Sequence, residues 1–170
     1  MSHSDLENYL KRLKDFDSAM LVTRRGAELR ARPMAIAECS EDGRVSFLTS
    51  IESDKIGEIT DESIVNLALQ NASQFMSISG NVLISRETSK IDKLWSASYQ
   101  PWFPEGKNDP TITVLIVVPT YAEYWDMSGG GGIKALFELG KAAIGGETPK
   151  FDDDVHKKID FPTSNRDRST

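Results

Sequence analysis

Leu29-Arg30-Ala31-Arg32-Pro33-Met34, continued by Phe47-Leu48-Thr49-Ser50 and Ser53-Asp54-Lys55, is the stretch on which the reading of this chain turns. It comprises two strand-like runs joined through a turn at Glu41-Asp42-Gly43, so its two ends can be neighbours in space. Arg30, Arg32 and Lys55 are cationic donors, and Thr49, Ser50 and Ser53 are hydroxyl donors. Together they suit a small dianion such as a phosphate monoester, because an arginine fork gives two parallel charge-assisted hydrogen bonds. Taken alone, the same residues are more simply an ordinary strand pair whose Arg and Ser side chains face water.

Outward from this stretch, the pattern is of strands with short helices between them. Ser4-Asp5-Leu6-Glu7 has the form of a capping box, with Ser4 as N-cap. Leu6, Leu10, Leu13 and Phe16 follow at helical spacing, predicting a helix that ends near Phe16. Ala19 to Thr23 reads as a strand, Arg25-Gly26-Ala27 as a turn, and Glu28 to Glu38 as a longer strand. Pro33 assigns that strand to an edge or a bulge. Val45 to Thr49 is a third strand, and Ser53 is the expected N-cap of a short helix holding Lys55, Ile56 and Ile59. Ile64 to Leu69 and Gln74 to Arg86 form a hairpin about Asn71-Ala72, with Gly80 marking a bend or a close backbone approach. Glu87 to Ser96 reads as a helix, and Tyr99 to Gly106 as an irregular segment rich in aromatics and proline. Thr111 to Val118 and Ala122 to Met127 read as two further strands.

Residues 1–127 are therefore expected to form one antiparallel α+β barrel domain carrying an N-terminal helix. Residues 128–170 divide into a glycine linker (Gly129 to Gly132), an amphipathic helix through Ile133, Leu136, Phe137 and Ile144, and a polar tail expected to pack loosely. The glycine run lacks the Gly-x-Gly-x-x-Gly spacing and the alternating strands and helices of a dinucleotide site.

Composition excludes several function classes. The 170 residues carry 20 basic and 26 acidic side chains, a net charge of −6, which argues against nucleic acid or an anionic membrane surface as a partner. No stretch approaches membrane-spanning length and no cationic–apolar leader opens the chain, so a cytoplasmic protein is expected. Cys39 is the one cysteine, which excludes an intramolecular disulfide and a cysteine-rich metal site. The two histidines, His3 and His156, stand near opposite ends in polar surroundings, which leaves a hydrolase triad or a zinc site without its base or ligands. An enzyme built on this chain would take its chemistry from an organic cofactor.

In order along the chain, Ala31-Arg32-Pro33-Met34, Phe47-Leu48-Thr49-Ser50 with Lys55, Ser79-Gly80, Lys93-Leu94-Trp95, Trp102-Phe103-Pro104-Glu105-Gly106 with Asp109-Pro110, and Glu123-Tyr124-Trp125-Asp126 resemble the FMN-binding split-barrel proteins related to pyridoxamine 5′-phosphate oxidase, and within them the bacterial general stress protein subgroup. The resemblance runs from about Leu6 to Asp126. It implies an antiparallel split β-barrel with peripheral helices, homodimeric, with flavin (FMN or FAD) held between the subunits. By position, Arg32 and Lys55 resemble the phosphate cations, Thr49 and Ser50 add donors, and Pro33 and Met34 line the flavin. Trp102 and Phe103 would reach the cofactor from the partner subunit, and Trp125 would lie near the ring. For Met34 and the three aromatics, core or interface packing is the competing account.

Two departures limit what the resemblance implies. Asp54-Lys55 stands where the oxidases have Arg-Lys, which places an anion beside the phosphate position. Trp125 is followed by Asp126-Met127-Ser128, without the Arg-x-His substrate motif. The implied function is thus a flavin-binding general stress protein with weak or no pyridoxamine phosphate oxidase activity. The alternatives are a flavin oxidoreductase drawing on NAD(P)H or a deazaflavin, and a flavin-free interaction module.

Overall fold

The computed structural model describes residues 2–128 and 155–162. The glycine run and the expected C-terminal helix lie outside the described residues. Helix α1 (His3–Leu13) is capped by Ser2 rather than Ser4: Asp5 N–H donates to Ser2 Oγ at 3.1 Å and Ser2 N–H donates to Asp5 Oδ2 at 3.0 Å. Both serines fit the capping pattern, but Asp5 also pairs with Lys157 at 2.9 Å, a tertiary contact that the local sequence does not announce. The helix ends at Leu13, and Phe16 is buried beyond it. Its inward face includes Tyr9, whose hydroxyl donates to Gly43 O at 2.9 Å.

Strand β1 (Ser18–Arg25) points Ala19, Leu21 and Thr23 inward and turns at Gly26, whose φ of 60° suits a residue without Cβ, into β2 (Glu28–Ala35). The expected long strand to Glu38 is in fact two strands, β2 and β3 (Glu38–Cys39). Next come β4 (Val45–Ser50), helix α2 (Asp54–Asp61), β5 (Ile64–Gln70), β6 (Gln74–Ser85), helix α3 (Thr88–Leu94), β7 (Ile112–Asp126) and β8 (His156–Asp160). The eight strands of the described residues belong to one antiparallel sheet in the order β2-β1-β5-β6-β7-β4-β3, with β8 also paired to β7. Strands β2 and β3 stand at opposite ends of this order, yet only Ile36 and Ala37 connect them. A two-residue link spans about 7 Å of extended chain beyond its ends. The sheet must therefore curl until its two ends meet, and Pro33 lies on an outermost strand as its missing N–H requires.

Thr111 to Val118 and Ala122 to Met127 form one strand, β7, and not two. Pro119 and Thr120 look like a break in sequence, but the register slips by one residue opposite Ser79 and Gly80, and Thr120 Oγ1 donates to Ser79 O at 3.2 Å. The bulge accommodates a proline that a regular ladder would reject. Beyond β6, the other edge of β7 is shared: β4 covers Ile112 to Val117, and β8 covers Tyr121 to Trp125. The tail was expected to pack loosely; residues 156–161 instead complete the sheet and bury Ile159 and Phe161.

The main core, including Tyr9, Leu21, Phe47, Leu67, Ile78, Val117 and Phe161, fills the curl. A second cluster of Leu48, Ile91, Phe103, Ile112 and Val114 packs under α3 and the aromatic loop. Among the described residues no helix is long and apolar enough to cross a membrane.

Candidate functional site

Because the sheet curls, the end of β4 and its turn into α2 face β2. Between them lies a cavity of about 520 Å³, lined by Arg32 to Ala35, by Leu48 to Ser50, by Ser53 to Lys55, and by Tyr99, Trp102 and Phe103. Eight of the nine residues expected to hold a cofactor share this space: Arg32, Pro33, Met34, Thr49, Ser50, Lys55, Trp102 and Phe103. Its size falls within the range of small-molecule pockets.

The polar end is built around Lys55. Its Nζ donates to Thr49 Oγ1 at 2.8 Å and to Ser53 Oγ at 3.0 Å, which leaves one of the three ammonium donors open. Burial, and then the charge of Arg32, lower the Lys55 pKa. Ser53 stands at the N-cap of α2, yet its hydroxyl donates to Ser50 O at 2.8 Å and makes no capping bond. The cap residue is thus diverted to fix the turn that carries Lys55, and the helix N-terminus keeps its affinity for anions. Asp54, in the first helical turn, lines the same cavity and opposes that attraction.

Arg32 projects from β2 and is held from behind. Its Nη2 donates to Glu58 Oε2 at 2.7 Å, and its Nη1 donates to Thr23 Oγ1. Thr23 in turn donates to Glu58 Oε2 at 2.5 Å, and Arg30 Nη1 donates to Glu58 Oε1 at 3.2 Å. The Thr23 hydroxyl, then Arg32 and Arg30, hold the Glu58 carboxyl below its usual range against the opposing effect of burial. Arg30, in the same cationic stretch, thus faces Glu58 and Glu28 and does not line the cavity.

The other end is apolar. Met34 and Phe103 are buried, and Phe103 packs against Trp95 with ring centroids 6.1 Å apart. Trp102 stands at the mouth, 72% exposed. Trp102 and Phe103 line this cavity within the same chain as Arg32 and Lys55. Trp125 is not part of the group. It lines a separate cavity of about 350 Å³ with Met20, Phe75 and Pro33, and Pro33 alone of the expected residues touches both spaces. Sequence reasoning missed Tyr99 and Ala35 as lining residues. It also missed Thr23 and Glu58, whose roles arise only when β1, β2 and α2 come together.

A curled antiparallel sheet with peripheral helices, carrying cations and hydroxyls at one end of a cavity and apolar side chains at the other, defines an α+β protein with a site suited to an amphipathic anion. A family model described as pyridoxamine 5′-phosphate oxidase like matches residues 4–150, and the chain belongs to that family. Among solved structures, a general stress protein 26 candidate from Jannaschia sp. CCS1 is 25% identical with a TM-score of 0.67, covering 94% of this chain and 100% of its own. The general stress FMN/FAD binding protein of Xanthomonas citri is 25% identical with a TM-score of 0.65, covering 75% of this chain and 93% of its own. General stress protein 26 of Bacillus anthracis, 20% identical with a TM-score of 0.64 over 70% of this chain and 92% of its own, shares the fold. No curated protein matches the chain.

Proposed function

We propose that this protein is a flavin-binding general stress protein that holds the phosphate of FMN, or the corresponding phosphate of FAD, at Lys55, Arg32, Thr49 and Ser50. The observation that carries the reading is that one cavity joins the open donors of Lys55 and Arg32 to the apolar surfaces of Met34, Phe103 and Trp102. The donor set fits the cofactor: a phosphate monoester needs cations and hydroxyls, and a flat ring needs stacking or apolar contact. The similar Xanthomonas citri protein, named for FMN/FAD binding, supports the same assignment. A bound flavin supplies the redox chemistry. The chain supplies the phosphate anchor, the wall beside Pro33 and Met34, and control of access to the ring.

Trp102 stands exposed at the mouth, a position that a second copy of the chain could cover. We assign its cover to a second copy of the chain, which places the flavin near the interface of a cytoplasmic homodimer. With Asp126-Met127-Ser128 after Trp125, the phosphate of pyridoxamine 5′-phosphate lacks the Arg and His partners of the oxidases, and turnover of that substrate is expected to be weak or absent. Robust FMN-dependent oxidation of it would overturn this part of the proposal.

The test is a titration of the flavin-free protein with FMN and with riboflavin, followed by quenching of flavin fluorescence. Saturable binding of FMN at concentrations where riboflavin does not bind supports the phosphate site. No binding of either removes the cofactor and leaves an interaction module as the better account.

A further inference from the structure

Glu58 is an unusual residue to find behind a phosphate site. It is 5% exposed, lies on α2, and does not line the cavity. Its carboxylate is nonetheless in direct contact with Arg32, which does line it. Arg32, Thr23 and Glu58 close a triangle in which the guanidinium donates to the hydroxyl and to the carboxylate, and the hydroxyl donates to the same carboxylate oxygen. The second carboxylate oxygen accepts from Arg30.

We infer that Glu58 is a positioning residue for phosphate recognition, which acts with Thr23 by fixing the Arg32 guanidinium so that its uncommitted donors face the cavity. The inference rests on the phosphate reading proposed above. An arginine carries five N–H donors, and this triangle engages two of its nitrogens with partners that do not line the cavity. A long side chain loses rotamer freedom when it grips a ligand, and a guanidinium already held by two partners has lost that freedom before the ligand arrives. The same carboxylate also subtracts charge from Arg32, which opposes phosphate binding. Two features limit that opposition: Glu58 itself does not line the cavity, and Arg30 shares its charge. Positioning therefore outweighs competition.

The experiment compares FMN and riboflavin affinity in the wild-type protein and in the Glu58→Gln, Thr23→Val, Arg32→Ala and Glu58→Gln/Arg32→Ala variants. Glu58→Gln keeps the shape of the side chain, and Thr23→Val removes the bridging hydroxyl at constant volume. Each is expected to weaken FMN binding by about tenfold while riboflavin changes by less than about twofold, the size of one charge-assisted hydrogen bond. In the Arg32→Ala background, Glu58→Gln is expected to add nothing, because the residue through which it acts is gone.

A parallel loss for both flavins would make Glu58 a scaffold residue and overturn the inference. Tighter FMN binding would make it a competing anion and overturn it too, as would an undiminished effect in the Arg32→Ala background. If Glu58→Gln does not fold, Thr23→Val carries the test. A wild-type protein with no preference for FMN over riboflavin sinks the phosphate reading and this inference together. A wild-type preference that persists undiminished in both Glu58→Gln and Thr23→Val sinks this inference alone.

Discussion

Trp125 and His156 stack almost face to face, with ring centroids 5.3 Å apart and planes 10° from parallel. They are directly opposed across β7 and β8, and His156 Nε2 also meets Glu123 Oε1 at 2.7 Å. The stack secures a polar strand, His156-Lys157-Lys158-Ile159-Asp160, that buries little on its own account. Cross-strand aromatic pairs contribute about 0.5–1.5 kcal/mol beyond the area they bury.

His156→Ala is accordingly expected to lower stability by about 1 kcal/mol, or about 2–4 °C in melting temperature for a chain of this size. FMN affinity should hold, since neither ring lines the cavity of Lys55 and Arg32. Thermal unfolding and flavin titration on the same variant check both halves. A loss of FMN affinity without a loss of stability would place Trp125 against the ring instead.

Gly80 is where β6 passes closest to β7. A Cβ there would lie 2.4 Å from Val118 O and 2.9 Å from Val118 C, both backbone atoms of a strand held on its two edges by β6 and β4. Neither strand can yield cheaply, and Gly80→Ala is expected to cost about 1–3 kcal/mol. Gly57 is the control. It sits within α2, where an added methyl would meet nothing within 4 Å, so Gly57→Ala should stabilise by about 0.5–1 kcal/mol. Denaturant unfolding of the pair decides it: equal effects of the same sign would mean that β6 and β7 have room to separate.

The parts of this fold that local chemistry specifies were legible in the sequence. Pro33 required an edge, Gly80 a close approach, and Ser53 the start of a helix, and each stands where those constraints put it. The parts that depend on distant partners were not. Pro119 and Thr120 interrupt the pattern of β7, and only the slip opposite Gly80 makes one strand of its two halves. β8 has too few inward residues to stand out from a polar tail; it is a strand because β7 offers a free edge and Trp125 a stacking face. The candidate site divides in the same way. Lys55, Thr49 and Ser53 are close in sequence and were visible together, whereas Glu58 reads as one more polar residue of a short helix until Thr23, Arg30 and Arg32 close on it.

Lys55→Ala and Arg32→Ala are each expected to weaken FMN binding, by no more than a few kcal/mol, as befits lost charge-assisted hydrogen bonds. Both variants should fold. Removing Lys55 relieves a half-buried charge, and removing Arg32 leaves Glu58 its bonds from Thr23 and Arg30. Titration with FMN, corrected for the folded fraction by circular dichroism, is the measurement. Unfolding with unchanged affinity per folded molecule would make these residues scaffold.

The lowered pKa of Lys55 gives the proposed phosphate site a pH dependence of definite sign. In the free protein, burial first and then the charge of Arg32 disfavour the ammonium, so Lys55 begins to lose its proton below its ordinary 10.5. A bound phosphate favours the ammonium and raises that pKa, so binding draws a proton onto Lys55 wherever the free protein has lost it. By linkage, FMN affinity falls as pH rises through the pKa of the free protein, and Lys55 contributes no pH dependence on the acid side of it. Riboflavin carries the same ring without the phosphate, so the ratio of the two affinities isolates the effect of Lys55 from any titration of the flavin ring. The ratio is expected to fall in the alkaline range for the wild-type protein and to stay flat there for Lys55→Ala. Titrations in a pH series on both proteins measure it, and a ratio that falls equally in the variant would mean that another group governs phosphate binding.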